Sequence, residues 1–370
     1  MDYAGRIAKL QSALDELQVD ALLVTELGEA GGILPHIRYL SGFSGSNGMI
    51  LVMPDSAHFF TDFRYKTQSK QEVHVCEVHV PSEYSKVYDL IREIVGEGKR
   101  IGVIGSKMTV AGFEGLKKKF SDASIAFVPV KDMIAKLRSV KEDAEIEAIR
   151  AAQELTDKLF DRILERIRPD VMTELDLAAE IEYMMKKLGA EGYSFRTIVA
   201  SGAHTAVVHA QPRNVVIKNN TPLLIDMGLR LNGYVSDMTR TLWIGSKPDS
   251  EFVKLYQIVL DAQKLAEEKA KPGMTSVQID RLARDYIEQH GYGEFFGHSL
   301  GHGVGLEVHE LPRVSHSKDF ETKIVENMVF TVEPGIYIEG FAGVRIEDIV
   351  VMRSDGVEVI TKSPKELLTL

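Results

Sequence analysis

The sequence predicts a protein of mixed α/β (α+β) class in two domains, residues 1–135 and residues 136–370. Three observations carry this reading. A chain of 370 residues is longer than one hydrophobic core usually organises. Over the first 135 residues short apolar runs alternate with helical patterns, as in a sheet layered with helices. Beyond Ser139 a different order takes over: long helix, proline, capped shorter helix, glycine, then strands carrying acids. That order occurs twice.

Taken from the start, MDYAGRIAKLQSALDELQ places Ile7, Leu10, Leu14 and Leu17 at helical spacing. Its acids and apolar stripe describe an amphipathic helix and not a secretory leader. DALLVTE, MILVMP and HFFTDF read as strands, the last two parted by the turn pair Pro54-Asp55. RIGVIG and IAFVPV add further strands. His36, Arg38, Asp62 and Arg64 do not cluster and are expected to be solvated or structural. Ser139-Val-Lys-Glu142 has the form of a capping box and is expected to open a long helix that Pro169 ends. A second helix is expected from near Thr173 to Gly189, a suitable residue for the position after a helix. Strands follow from Tyr193 to Ile244, then helices from about Asp249 to Ala270 and from Thr275 to His290. Pro169 and Pro272 each precede a Met-Thr pair, and a glycine falls sixteen residues past each threonine. This single gapped match is a faint sign of duplication, with two halves flanking a cleft.

Composition removes several classes. A net charge of −10 argues against a nucleic-acid binder, which needs a basic face. The single cysteine, Cys76, excludes an internal disulfide and any thiolate-rich metal site. No apolar run approaches the ~20 residues that span a bilayer. A cytoplasmic protein with no membrane partner is expected.

The chemistry concentrates in FGHSLGHGVGLEVHELP, which holds His298, His302 and His309. Glycines at 301, 303 and 305 disfavour a helix, so a loop feeding a short strand is expected. Imidazole is the commonest metal ligand. PLLIDMGLRLNGYVSDMTRTLWIG reads as two strands joined at Asn232-Gly233, a strong hairpin signal. That turn sets Asp226 opposite Thr239, with Asp237 two residues along the same face, so both carboxylates reach toward one point. Asp226 interrupts an apolar run, where an unpaired acid is costly. In MVFTVEPGIYIEGFAGVRIEDIVVM, Glu333 ends one apolar run and Glu347 interrupts another. A two-residue turn would put them on opposite faces; convergence requires an odd loop or a bulge, for which GFAG supplies glycines. Arg345 shares a face with Glu347 and is expected to be its charge partner. Asp226, Asp237, His302, Glu333 and Glu347 therefore form the proposed cluster. Four carboxylates brought together cannot all stay ionised without compensating charge, which two divalent cations provide. Oxygen-rich ligation with one imidazole suits Mn²⁺, Co²⁺, Fe²⁺ or Zn²⁺. Paired ions lower the pKa of a shared water and present it to a carbonyl, which is hydrolase chemistry.

These residues, with GHSLGHGVGLEVHE, VEPGIY and GVRIEDIVV around them, resemble the pita-bread-fold metallopeptidases, specifically the prolidase (Xaa-Pro dipeptidase) and aminopeptidase P branch. RYLSGFSGSNG and FFTDFRY match that branch's N-terminal domain, so the resemblance covers essentially the whole chain. It implies a creatinase/prolidase-like α/β domain followed by a pita-bread catalytic domain. It also implies two divalent ions, Mn²⁺ first and Co²⁺ or Zn²⁺ compatible. Asp226 and Asp237 would be ligands, Asp237 bridging, with His302 on one ion and Glu333 and Glu347 completing the pair. Glu333 would also carry a proton from water to the leaving nitrogen. His209, in SGAHTAVVHAQP, and His309 match histidines that hold the substrate carbonyl and the tetrahedral intermediate. His298 matches one lining the pocket near the proline ring. Arg313, in HELPRVS, resembles an arginine of microbial prolidases that grips a dipeptide's C-terminal carboxylate, natural work for a guanidinium fork. Arg345 is grouped with His298 and Arg313 as substrate-binding.

The activity implied is hydrolysis of the Xaa-Pro bond in dipeptides or short peptides, by a homodimer. The alternative is an Xaa-Pro aminopeptidase acting on longer peptides, whose sequences often lack an arginine at position 313. A creatinase-like metal-free hydrolase or a non-catalytic peptide-binding module would be expected to have lost ligands, and all five are present. Methionine aminopeptidases resemble only the C-terminal domain. Two features depart from the family pattern. Val208 precedes His209 where relatives often have proline. ELGEAGGILPHIRYL is longer than the usual loop, and with His36 it is expected to cover the active site of a partner subunit.

Overall fold

The computed structural model describes residues 1–26 and 33–370, so most of the long loop expected to reach a partner subunit, residues 27–32, lies outside the described residues. The chain forms two compact units, Met1–Arg138 and Ser139–Leu370. Among the described residues no helix is long and apolar enough to cross a membrane.

The first unit is built on a six-stranded mixed sheet. Its strands are β1 (Ala21–Val24), β2 (Met49–Val52), β3 (Ala57–Phe60), β4 (Glu77–His79), β5 (Arg100–Ile104) and β6 (Ala126–Val130), in spatial order β4-β3-β2-β1-β5-β6. β1 and β2 are buried throughout, because helices cover the sheet and leave no face for polar side chains. Every strand read from the sequence is present. The short edge strand β4 is an addition, since HVCEVHV lacks a continuous apolar run. The first helix, Tyr3–Ala13, is capped by Asp2, whose carboxylate accepts the Gly5 N–H at 2.8 Å. His36 is wholly buried, with Nε2 3.0 Å from Asp132 and Nδ1 3.0 Å from Arg138. Asp62 accepts hydrogen bonds from Asn47 and from the Arg64 side chain. Both are structural ties within this unit.

The second unit opens with the helix Asp143–Leu164, which begins later than the sequence implied. Its cap is Glu142, whose backbone N–H donates to the Glu145 carboxylate at 3.0 Å, and Ser139 instead ends the helix Met133–Ser139. The reason is tertiary. Lys141 N–H donates to the Asn327 carbonyl and Val140 bridges Met328, so these residues are extended and cannot join the helix.

Two halves then follow one plan. The first has the helix Glu174–Lys187 and the strands β7 (Gly192–Tyr193), β8 (Ile198–Ser201), β9 (Thr221–Met227), β10 (Leu229–Leu231), β11 (Tyr234–Val235) and β12 (Met238–Ile244). The second has helices Ser250–Lys269 and Ser276–Gln289 and the strands β13 (Gly301–Gly303), β14 (Glu310–Val314), β15 (Val329–Val332), β16 (Gly335–Ile338), β17 (Ala342–Arg345), β18 (Asp348–Met352) and β19 (Val357–Val359). Thr173 and Thr275 both cap their helices through reciprocal side-chain bonds with Asp176 and Gln278. Gly189 and Gly291, just past the helix ends, take φ of +97° and +85°. Thr173 pairs with Val216 as Thr275 pairs with Lys323, so the faint sequence repeat extends to backbone pairing. Each half has its own apolar core, around Phe160, Ile181 and Ile225 in one and Phe252, Ile279 and Phe330 in the other. Each such side chain contributes on the order of 1.5–3 kcal/mol through burial.

Two registers position the acids. Asn232 and Gly233 have φ of +52° and +84°, the two positive angles a type I′ turn demands. Asp226 consequently faces Thr239, as the sequence implied. In the second half, β15 with β18 and β16 with β17 keep one continuous register around a three-residue loop, Glu339–Phe341, where Gly340 has φ +76°. Glu333 and Glu347 lie next to the Val332–Asp348 pair and so fall on one face. The odd loop that convergence required is present.

Candidate metal centre and active site

Asp226 lies in β9, one residue before its end at Met227, Asp237 precedes β12, His302 lies in β13, and Glu333 and Glu347 flank the β15–β18 pairing. Asp237, His302 and Glu347 each offer a ligand atom, and these atoms all lie within 4.8 Å of one another. His302 Nε2 is 3.3 Å from Glu333 and 3.6 Å from Asp237. Asp226, Asp237 and Glu347 are buried, while His302 and Glu333 keep a narrow edge open to the cleft.

The cluster is held by neighbours. Thr239 Oγ1 donates to Glu347 at 2.7 Å. Thr331 Oγ1 donates to Glu333 at 3.1 Å and accepts the His302 N–H at 3.1 Å. His302 Nδ1 faces the Gly303 carbonyl at 3.2 Å, which turns Nε2 toward the carboxylates. Gly301 lets β13 lie against β15: a Cβ there would sit 1.9 Å from the Thr331 carbonyl oxygen.

Arg345 is buried and makes its bond to Asp226 at 2.7 Å, not to Glu347. The expected pairing gives way because β9 brings Asp226 within direct reach of the guanidinium. The guanidinium instead turns toward β9 and β12, donating to Thr239 Oγ1 at 3.0 Å, to Tyr337 OH at 2.9 Å and to the Val208 carbonyl at 3.3 Å.

The electrostatics favour added positive charge. Burial, then the charges of Glu347, Asp226 and Glu333, push Asp237 well above the usual carboxylate range. Burial and the charges of Glu333 and Asp226 do the same to Glu347. Burial raises Asp226 too, against the pull of Arg345. For Glu333 burial works upward, but the hydrogen bond and charge of His302 bring it down to about 2. For His302 burial works downward, but the hydrogen bond and charge of Glu333, the Gly303 carbonyl and the charge of Asp226 together raise it. Asp226 Oδ1 is buried without a hydrogen-bond partner. An orphaned carboxylate oxygen and two acids lifted by mutual repulsion are what divalent cations would relieve. The donor set, oxygens with one imidazole, fits them.

The remaining candidates line the approach. His298 Nε2 is 2.9 Å from Tyr337 OH, and Nδ1 is 2.8 Å from the Ser299 carbonyl. Burial pushes Tyr337 up to about 12, which keeps its hydroxyl neutral. The His309 ring stands edge-on to His302, centroids 4.2 Å apart. It has an exposed edge, yet surrounding protein and then the His302 charge lower it to about 4. His209 is exposed and close enough for its charge to act on His309. Arg313 pairs with His302 across β13–β14, hence on the same face, with its guanidinium 4.4 Å over the Phe320 ring and 3.3 Å from Ser299 Oγ. Sequence reasoning gave no role to Tyr337, Thr239 or Thr331. Their signal was strand alternation: Thr331 and Tyr337 share the parity of Glu333, and Thr239 had been set opposite Asp226.

Comparison with known proteins follows the same lines. Residues 147–354 match the model of metallopeptidase family M24, and residues 6–140 that of the creatinase/prolidase N-terminal domain. An Xaa-Pro dipeptidase of Pyrococcus horikoshii is 38% identical over 364 residues, covering 98% of each chain. The solved structure of an Xaa-Pro dipeptidase from Bacillus anthracis is similar with a TM-score of 0.92 at 37% identity, over 100% of both chains. That of an X-Pro aminopeptidase from Thermotoga maritima is similar with a TM-score of 0.87, also at 37% identity, over 97% of this chain and 100% of that one.

Proposed function

The chain belongs to metallopeptidase family M24, and from that premise we propose that it is an Xaa-Pro dipeptidase, hydrolysing the bond before proline in dipeptides. Asp226, Asp237, His302, Glu333 and Glu347 would hold two divalent cations, which when bound supply positive charge and a water of lowered pKa. This chain's own groups do the rest. Glu333, a carboxylate with a narrow exposed edge, takes a proton from the water and returns it to the leaving nitrogen. That nitrogen must gain a proton to depart as the amine of proline, and Glu333 delivers it. His309, kept neutral, and His209 hold the substrate carbonyl as charge develops on it. His298, backed by Tyr337 and Phe296, forms the wall against the proline ring. Arg345 has all its donor groups engaged by protein and acts by positioning Asp226 and Tyr337. The family resemblance also supports Mn²⁺ as the working ion and a cytoplasmic homodimer as the working form.

The observation that carries the dipeptidase reading is Arg313. It stands on the His302 face of the sheet and is exposed, which supports a contact between its guanidinium and a dipeptide's free carboxylate. The second reading, an Xaa-Pro aminopeptidase, is supported by the equal identity of the Thermotoga maritima structure. Hydrolysis of Ala-Pro and Ala-Pro-Ala by the Mn²⁺-loaded protein, wild type beside Arg313→Ala, separates them. Preference for the dipeptide, lost in the variant, is the expected result. Efficient tripeptide cleavage untouched by the substitution establishes the aminopeptidase and removes the role of Arg313. Absence of either activity with metal bound overturns the proline specificity.

A further inference from the structure

A second set of metal-ligating side chains lies in the first unit and uses none of the residues assigned above. β3 and β4 run parallel with His58 opposite Glu77 and Phe60 opposite His79. His58, Glu77 and His79 therefore share one face of the sheet at its outer edge. His58 Nδ1 is 3.1 Å from His79 Nε2 and 3.4 Å from Glu77 Oε2, and His79 Nε2 is 3.8 Å from Glu77 Oε1. Bonds of ~2.0–2.1 Å to a tetrahedral ion separate its ligand atoms by about 3.4 Å. The two imidazole nitrogens and the Glu77 carboxylate, met through one oxygen by each ring, lie close to that spacing, and one ligand atom from each residue lies within 4.8 Å of the other two.

Both rings are fixed with the relevant nitrogen inward. His58 Nε2 is 3.1 Å from Ser56 Oγ, which leaves Nδ1 pointing at the other two groups. His79 stacks on Phe60 with centroids 4.9 Å apart and planes at 18°. His79 Nε2 faces His58 Nδ1 at 3.1 Å, so the two ring nitrogens converge where one ion would bind both. Glu77 is the exposed member, and the fourth position opens to solvent beside it. Cys76 precedes β4 and is not among the side chains that converge there.

We propose that His58, His79 and Glu77 form a Zn²⁺ site that clips the short edge strand β4 to β3. Two imidazoles and one carboxylate suit zinc, whereas the carboxylate-rich cluster of the second unit suits harder ions. The site is structural: an edge strand of three residues paired on one side is weakly held, and an ion bridging it to its neighbour removes that weakness.

The test uses the full-length protein, dialysed against buffered Zn²⁺ and analysed for bound metal, with melting temperature read in parallel. The wild type is expected to hold one more zinc than His79→Gln. That extra zinc should persist in His302→Ala, which disables the other cluster. Zinc should raise the melting temperature of the wild type and not of His79→Gln, while Xaa-Pro hydrolysis by His79→Gln stays at the wild-type rate. Glu77→Gln, an exposed change that leaves packing intact, should bind the extra zinc at least about tenfold more weakly, and serves if the histidine variant misfolds. Equal zinc content in wild type and both variants overturns the proposal and leaves a plain His58–His79 hydrogen bond. Loss of the extra zinc in His302→Ala assigns it to the other cluster and overturns the proposal equally.

Discussion

Arg345→Met tests whether the buried guanidinium is there to balance Asp226. Asp226 is 8% exposed and Arg345 2%, and their 2.7 Å contact is the direct charge pairing of that carboxylate. Removing one partner of a buried pair leaves an uncompensated charge and costs about 3–5 kcal/mol. For a domain of this size each kcal/mol lowers the melting temperature by roughly 2–4 °C, so the metal-free variant should melt on the order of 10 °C below wild type. Bound divalent cations supply part of the missing charge. In the Mn²⁺-loaded protein the deficit should shrink to the lost hydrogen bonds, about 1–2 kcal/mol. Adding Asp226→Asn should recover stability in the chelated state, since it removes the stranded charge. Calorimetry on chelated and Mn²⁺-loaded samples of the three proteins measures all of this. An equal deficit with and without metal, or no recovery in the double variant, would refute the reasoning.

Further expectations follow from the same geometry. Thr239→Val deletes the 2.7 Å bond to Glu347 and should weaken metal binding about 10–100-fold, read by reactivation in metal buffers; unchanged affinity would dismiss Thr239 as an orienting residue. Gly301→Ala places a methyl 1.9 Å from the Thr331 carbonyl, both on backbone that cannot swing aside, and should cost about 1–3 kcal/mol with loss of metal through displaced His302. A variant that melts and binds metal like wild type would show that β13 does not need the close approach. In the first unit burial would raise Asp132, but the hydrogen bond and charge of His36 hold it at about 2, against an ordinary 3.8. A depressed carboxylate contributes stability that is complete above its unfolded pKa and is lost as pH falls through the folded one. The contribution, about 1–2 kcal/mol after allowance for partial exposure, should therefore vanish between about pH 4 and 2. Asp132→Asn should cost stability at neutral pH and converge on wild type at pH 2, followed by denaturant titration across that range.

The sequence by itself determined every element whose signal is local. The strands of the first unit other than β4, the helix caps at Thr173 and Thr275, and the type I′ turn at Asn232-Gly233 each rest on neighbouring residues. The turn went further, since fixing it fixed the register that sets Asp226 opposite Thr239. The four acids and one imidazole of the cluster were legible for a related reason: charged side chains interrupting apolar runs have no inexpensive place to go except toward one another and toward ions. What stayed hidden depends on segments far apart in the chain. Ser139 looks like a cap, but Val140 and Lys141 are drawn into pairing with Asn327 and Met328, nearly two hundred residues on. Arg345 looks like the partner of Glu347, two residues away, yet a guanidinium on a long stem chooses among all carboxylates within reach, and β9 brings Asp226 nearer. His58, Glu77 and His79 are unremarkable in sequence, and only the parallel pairing of β3 with β4 sets them around one point. Local backbone preference is written in adjacent residues, whereas the pairing of charges and ligands is decided by distance in space.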